Sequence, residues 1–269
     1  MPPPEFHQAR KRFGQNFLQD AGVIQRIAAA VGARPGQQLV EIGPGRGALT
    51  EALLLTTGGA LEVIELDRDL IPILRTRFFN YPDLHIHEGD ALKFDYATLG
   101  DPALPLRVVG NLPYNISTPL IFHLLEHSRR FQDMHFMLQQ EVVDRLTAQP
   151  GSRAYGRLGI MVQYYCEAEE LFGVPPSAFS PRPKVNSAIV RLTPHRELPI
   201  VAKDQRRLRN VVRAAFTHRR KTLRNNLKGL VSEAQIRALD IDPGSRAEQL
   251  TLHNFVAISD TLGSEQDSE

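Results

Sequence analysis

The sequence has a single cysteine, Cys166. No intrachain disulfide can form, and a cysteine-based zinc site has no ligand set to draw on. A reducing cytoplasm is the expected setting. Long hydrophobic runs are missing as well. No stretch approaches the length of a membrane span, and Met1-Pro2-Pro3-Pro4-Glu5-Phe6 has no apolar signal core, so neither insertion nor export is expected. No internal repeat is visible. His85 and His87 share one face of an expected strand, but no third ligand lies near them in sequence, so no metal is expected.

What is present suits an ordinary globular protein. The 269 residues are 42% hydrophobic and 23% charged, enough for one α/β domain and a small appendage. The formal net charge of +2 hides a strong asymmetry. Between Lys203 and Lys228, ten Lys and Arg face the lone acid Asp204, a local charge of +9. From Gly229 onward two basic residues meet eight acidic ones, a charge of −6. One segment therefore carries the basic character, as a nucleic-acid contact requires.

Most of the chain reads as alternating strands and helices. Val40-Glu41-Ile42-Gly43-Pro44-Gly45-Arg46-Gly47-Ala48-Leu49-Thr50 joins a buried strand to a helix through three alternate glycines. Such a turn lets a nucleotide-like ligand approach the backbone at a helix N-terminus. The next strand, Leu61-Glu62-Val63-Ile64, ends in Glu65, at the spacing expected of an acid that grips ribose hydroxyls. This predicts a doubly wound, Rossmann-like α/β sheet with helices on both faces. Nicotinamide oxidoreductases and S-adenosylmethionine (SAM) methyltransferases share these features. Glu41 would sit awkwardly beside a pyrophosphate, whereas a sulfonium and an ammonium tolerate it.

Other elements follow the same logic. Asp20 and Gly32 bound a helix with Val23, Ile24, Ile27, Ala28 and Val31 on one stripe, and Asp67 is expected to cap the helix through Leu70, Ile73 and Leu74. Leu84 to His87 forms a third strand, and Asp90 follows it at the same sheet edge as the glycine turn. Thr118-Pro119 is expected to open a helix after strand four, Leu106 to Val109. Met134 to Leu138 reads as strand five, with a helix through Val142, Val143 and Leu146 after it. Residues 149–156 look like a flexible loop able to act as a lid. Ile160-Met161-Val162, a strand near Leu171-Phe172 and a last strand from Val185 to Leu192 come next. The expected division is a basic arm over 1–19, a catalytic domain over 20–194, a small C-terminal helical domain over 195–263 and a tail over 264–269. In the helical domain Leu208, Val211, Val212 and Ala215 form one face, with Arg206, Arg209 and Arg213 opposite. Arg10, Lys11 and Arg12, interleaved with Phe13 and Phe17, could hold RNA or form a plain surface arm.

Asn111-Leu112-Pro113-Tyr114, at the end of strand four, separates the two enzyme classes. The exocyclic amine of adenine is a poor nucleophile because its lone pair is delocalised into the ring. Two acceptors aimed at its hydrogens favour tetrahedral nitrogen and free that lone pair. The Asn111 side-chain oxygen and the Leu112 carbonyl can supply both, since Pro113 fixes the turn and biases Leu112 to an extended conformation. Tyr114 offers a face for the base. An oxidoreductase has no use for this stretch.

These motifs resemble those of the bacterial small-subunit ribosomal RNA adenine N6,N6-dimethyltransferases. The resemblance spans Phe13-Gly14-Gln15-Asn16-Phe17-Leu18, Glu41 to Gly45, Val63 to Asp67, Gly89-Asp90-Ala91, Asn111 to Tyr114, Phe179-Ser180-Pro181-Arg182-Pro183-Lys184-Val185 and Arg219 to Leu227. It implies SAM as cofactor, with Asn16, Leu18 and Gly43 at its methionine end, Glu65 on the ribose, Asp90 on the adenine amine and Gly45 also binding the cofactor. Asn111 would lie between cofactor and target, with Tyr114 and Phe179 sandwiching a flipped base. Two adjacent adenosines in a hairpin loop near the 3′ end of the RNA would each be methylated twice. The expected partners are the small ribosomal subunit and its RNA, with no membrane and no metal, and the chain is expected to work as a monomer. Arg206, Arg209, Arg213, Arg219, Arg220, Lys221 and Arg224 would face phosphates. Two rivals remain: methylation of large-subunit RNA, and an assembly factor that acts mainly by binding.

Overall fold

The computed structural model describes residues 16–263; the predicted arm residues Arg10, Lys11 and Arg12 and the tail 264–269 lie outside them. The chain divides into two compact units, the first holding residues 16–143 with Glu167–Pro194 and the second Asp144–Cys166 with residues 195–263.

The first unit opens with β1 (Phe17–Leu18) and α1 (Ala21–Val31). Asp20 caps α1 by accepting the Val23 N–H at 3.0 Å, and Gly32 ends it in the left-handed region at φ 58°. Then come β2 (Gln38–Ile42), α2 (Ala48–Thr57), β3 (Leu61–Glu65), α3 (Leu70–Arg77), β4 (Leu84–Glu88), β5 (Leu106–Asn111), α4 (Ser117–Glu126) and β6 (Phe131–Gln139), and the boundary between the units falls within α5 (Gln140–Thr147). After α6 (Arg157–Tyr165), which belongs to the second unit, the chain returns as β7 (Cys166–Val174), β8 (Phe179–Ser180) and β9 (Ser187–Pro194).

Seven strands form one sheet in the order β4-β3-β2-β5-β6-β9-β7, parallel from β4 to β6, with β9 antiparallel to β6. Val40, Val63 and Val108 are fully buried, as expected of parallel strands covered by helices. The chain steps outward from β2 to β3 and β4, then crosses back to β5 on the other side. That reversal leaves a crevice beyond the carboxyl ends of β2 and β5, where such sheets bind ligands.

Two helix starts differ from expectation. The helix α3 begins at Leu70 with Asp69 in the cap position, while Asp67 accepts the Asp69 N–H at 3.3 Å within the preceding turn. The helix α4 begins at Ser117, so Pro119 is its third residue rather than its first. Proline still fits, because N–H groups of a first turn have no partner inside the helix.

In the second unit α6 packs with α7 (Gln205–Ala215) and with α10 (Leu252–Asp260); α8 (Leu223–Asn226) and α9 (Glu233–Arg237) lie between those two in sequence. Leu208, Val211, Val212 and Ala215 of α7 are buried, and the Phe216 and Phe255 rings meet at 5.9 Å. Ile160, Val162 and Tyr164 of α6 are buried too, which is why 144–166 groups with this unit and not with the domain expected over 20–194. The expected lid is fastened: Gly151 donates to the Glu248 carbonyl at 2.7 Å, Arg219 donates to the Arg153 carbonyl, and Tyr155 is buried. Among the described residues no helix is long and apolar enough to cross a membrane.

Candidate active site

Strand pairing builds the site. Ile42 pairs with Gly110 of β5 and with Ile64 of β3, and Glu65 pairs with Glu88 of β4. Four strand ends therefore stand side by side, carrying the glycine turn, Glu65, Asp90 and Asn111. Between them lies a cavity of about 370 Å³. Its walls include Asn16, Leu18, Gly43, Gly45, Glu65, Asp90, Asn111, Leu112, Pro113 and Tyr114, all expected from the sequence.

Two glycines shape the turn. At Gly45 φ is +60°, and an added Cβ would lie 3.1 Å from the Phe17 ring. At Gly47 φ is +82°, and a Cβ would lie 2.5 Å from Phe78 just beyond α3. Any larger residue must displace packed rings as well as adopt a left-handed backbone. From outside, Arg77 donates to the Arg46 carbonyl at 2.8 Å and pairs with Glu51 at 2.6 Å.

The acids of the site are held in distinct ways. Glu65 accepts N–H groups from Asp67 at 2.8 Å and Gly45 at 3.3 Å, so it braces the turn. Burial raises its pKa against the pull of those bonds. Glu41 is 2% exposed and accepts the Thr50 hydroxyl at 2.6 Å. Burial pushes its pKa up to about 8, opposed by the Thr50 bond and reinforced by the nearby Glu65. Asp90 accepts the Leu92 N–H at 3.0 Å.

The Asn111 stretch is fixed on both sides. Asn111 Nδ2 donates to the Asn16 carbonyl at 3.1 Å, which leaves the amide oxygen as the acceptor. Leu112 N–H donates to Met137 at 3.2 Å and Ile116 N–H to Pro113 at 3.1 Å, setting the turn after β5. Tyr114 Oη lies 2.9 Å from Ser187 Oγ, which anchors the ring at its far end.

Phe179 is the exception among the expected residues. It pairs with Leu18 between β1 and β8, is 6% exposed, and belongs to the apolar core with Val23, Ile27 and Met137. It backs the cavity wall through Leu18 instead of forming that wall. Residues absent from the expected set include Phe17, Arg46 and Leu66, which line the cavity. Leu66 carried a readable signal, an apolar residue beside Glu65 at a strand end, and is 48% exposed.

The basic residues lie in the second unit. Arg206, Arg213, Arg219, Arg220, Lys221 and Arg224 are exposed. Arg209 instead turns inward, with its guanidinium 3.2 Å from the Tyr165 hydroxyl, so α7 shows fewer cations than expected. Arg219 to Lys221 sit on a turn, and not on a helix face. Asn226 pins that turn, its Nδ2 donating to the carbonyls of Ala215 at 2.7 Å, His218 at 3.0 Å and Lys221 at 3.4 Å. Arg219 also reaches Glu248 at 3.3 Å. In the first unit, His87 is 2.6 Å from Glu62, and among the described residues no cluster of three or more His, Cys, Asp or Glu could hold a metal.

The chain as a whole is matched by known proteins. A family model described as ribosomal RNA adenine dimethylase matches residues 6–263. The ribosomal RNA small subunit methyltransferase A of Hahella chejuensis is 62% identical, over 94% of this chain and 93% of that protein. Its counterpart in Chromohalobacter salexigens is also 62% identical, over 95% and 92%. Among solved structures, a dimethyladenosine transferase from Plasmodium falciparum aligns with a TM-score of 0.76 at 28% identity, over 90% of this chain and 95% of that one. The 23S rRNA methyltransferase ErmE aligns with a TM-score of 0.72 at 26% identity, over 92% and 99%. The chain belongs to the ribosomal RNA adenine dimethylase family.

Proposed function

We propose that this protein methylates the N6 amines of two adjacent adenosines in a hairpin loop near the 3′ end of small-subunit ribosomal RNA, giving N6,N6-dimethyladenosine. Family membership makes it an enzyme, an RNA adenine dimethyltransferase that uses SAM. The small subunit is favoured because the 62% identical relatives carry that substrate in their names, while the large-subunit enzyme ErmE shares 26%.

The residues fit the cofactor. A cavity of about 370 Å³ has the size of a small-molecule site. Glu65 and Asp90 at its walls suit a ligand with hydroxyls and an amine, and Glu41, kept mostly protonated by burial, would take on charge most readily beside a cationic centre. Gly43 and Gly45 would take the methionine end with Asn16 and Leu18, Glu65 the ribose and Asp90 the adenine amine. When bound, SAM supplies an electrophilic methyl group.

The observation that carries the mechanism is the fixed Asn111 amide, whose oxygen is left as an acceptor at the cavity wall. That oxygen and the Leu112 carbonyl accept the two hydrogens of the target amine and turn its lone pair toward the methyl donor. Tyr114, tethered to Ser187, gives the extruded base a rigid face to stack on. Phe179 supports this wall from behind. The product nitrogen is cationic and sheds its proton to solvent or a backbone carbonyl, so no strong base is needed. The cationic turn and α7 would hold the RNA backbone, with the cytoplasm as the setting.

Incubating purified small and large subunits with the protein and labelled SAM, then digesting the RNA, tests the reading. Dimethyladenosine from the small subunit alone is expected; its appearance only from the large subunit would overturn it. Asn111→Ala should slow transfer on the order of 100-fold or more while the thermal unfolding midpoint holds, because orientation supplies most of the acceleration. Near-normal turnover in that variant would remove Asn111 from the mechanism.

A further inference from the structure

Residues 16–20 make a contact on which the orientation of Asn111 depends. Asn111 donates to a backbone carbonyl, that of Asn16, so the amide is set only as firmly as Asn16 itself. At one end of this strap the Gln19 and Asp20 N–H groups donate to the Ala178 carbonyl at 2.8 and 3.3 Å, and β1 pairs with β8. At the other end, one residue from Asn16, the Phe17 ring lies against Gly45 and beneath the Arg46 guanidinium, 4.7 Å from the ring centroid. Arg46 stands on a braced turn, since Arg77 holds its carbonyl.

We propose that Phe17 and Arg46 are positioning residues for methyl transfer: they clamp the strap onto the glycine turn so that the Asn16 carbonyl keeps the Asn111 amide oxygen presented to the target amine. The inference rests on the amine-orienting role of Asn111. An amide released from Asn16 can turn by half a rotation and present hydrogens where acceptors are needed. A fraction of molecules is then wrongly set, and turnover falls by that fraction. Neither Phe17 nor Arg46 needs to touch the reacting atoms. A cation held over an aromatic face is strong enough to shift such an equilibrium by roughly three- to tenfold.

The test compares Arg46→Ala, Arg46→Lys, Phe17→Leu and Asn111→Ala in the full chain. Single-turnover rates on purified small subunits at saturating SAM, SAM affinity by calorimetry and thermal unfolding are measured for each. Arg46→Ala should slow transfer roughly three- to tenfold at saturating SAM, beyond any loss of SAM affinity that passes through Asn16 and Leu18 on the same strap. Arg46→Lys, which keeps a cation over the ring, should recover most of the rate. Phe17→Leu keeps apolar volume and the fold but loses the ring face, and should slow transfer to a similar degree. An unchanged rate in Arg46→Ala, or a loss that appears wholly in SAM affinity, overturns the clamp while an inactive Asn111→Ala leaves the amine-orienting role standing. A near-normal Asn111→Ala instead sinks that role and the clamp with it.

Discussion

The cavity at the strand ends and the basic turn of the second unit hold their functional groups by opposite means. In the cavity, Glu65, Asn111 and Tyr114 each have a short bond to a fixed partner, and Glu41 is almost wholly buried. On the turn, Arg219, Arg220 and Lys221 are exposed, and order comes from Asn226, bonded to three carbonyls, and from the contacts of Arg219 with Glu248 and the Arg153 carbonyl. A small ligand and a reacting amine need atoms placed to within a bond length, and desolvated partners provide that. A phosphate backbone needs charge density, which acts over a Debye length of about 8–10 Å and tolerates loose placement. The first region should therefore fail one residue at a time, and the second by degrees, as charge is removed.

The largest effect expected from this contrast comes from reversing Arg219, Arg220 and Lys221 to Glu together. Each phosphate contact contributes about 0.7–0.9 to the log–log salt slope, so three lost contacts lower affinity on the order of 100-fold near 0.1 M salt and flatten the slope by about two. SAM affinity should not move. Filter binding to purified subunits across a salt series, with calorimetry for SAM, reads both quantities. An unchanged slope would return the turn to an ordinary solvated surface.

Next is Glu65→Ala. Loss of a bond to a charged group costs on the order of 1.5–3 kcal/mol, so SAM should bind roughly tenfold more weakly or worse. The variant also frees the Asp67 and Gly45 N–H groups that Glu65 now accepts, so part of the loss comes from a slack turn. Calorimetry showing wild-type affinity would remove Glu65 from the ribose.

These two regions were also unequally legible in the sequence. The cavity residues could be read because the chemistry is local: alternate glycines, an acid closing a strand, and Asn-Leu-Pro-Tyr at a strand end each specify a backbone shape within a few residues. What escaped depended on partners far away in the chain. Phe179 looks like a stacking ring until β1 pairs with β8 and draws it into the core. Arg209 sits at a position opposite the apolar stripe of α7, yet Tyr165 of α6 attracts it. The loop over 149–156 has a flexible composition, but Glu248 and Arg219 secure it from about 70 to 100 residues downstream. Charge counting located the basic segment but not its shape, since it could not say that Arg219 to Lys221 form a turn.

A third effect belongs to Glu41 and appears as a pH dependence of stability. Its folded pKa of about 8 exceeds the ordinary carboxyl value of 4.5, so the folded state binds its proton more tightly than the unfolded chain does. The associated stability is full below the unfolded value and is lost as pH rises through the folded one. Glu65, also raised, acts in the same direction. The protein without SAM should therefore lose thermal stability from pH 5 to pH 8.5, and Glu41→Gln should flatten that decline by an amount on the order of a few kcal/mol. Unfolding scans at several pH values decide it, with a parallel decline in both proteins as the contrary result.

The smallest effect separates shape from charge on the turn. Asn226→Ala keeps every cation but removes the three bonds that Nδ2 donates to Ala215, His218 and Lys221. If placement matters little there, RNA affinity should fall only roughly two- to tenfold, the range of one or two ordinary hydrogen bonds. The salt slope should be unchanged, since as many phosphates are neutralised as before. That outcome differs from the triple reversal, in which affinity and slope fall together. A flattened slope in Asn226→Ala would mean that the cations reach their phosphates only when the turn is held. The basic turn would then resemble the cavity, with its function set by one buried bonding pattern and not by charge density.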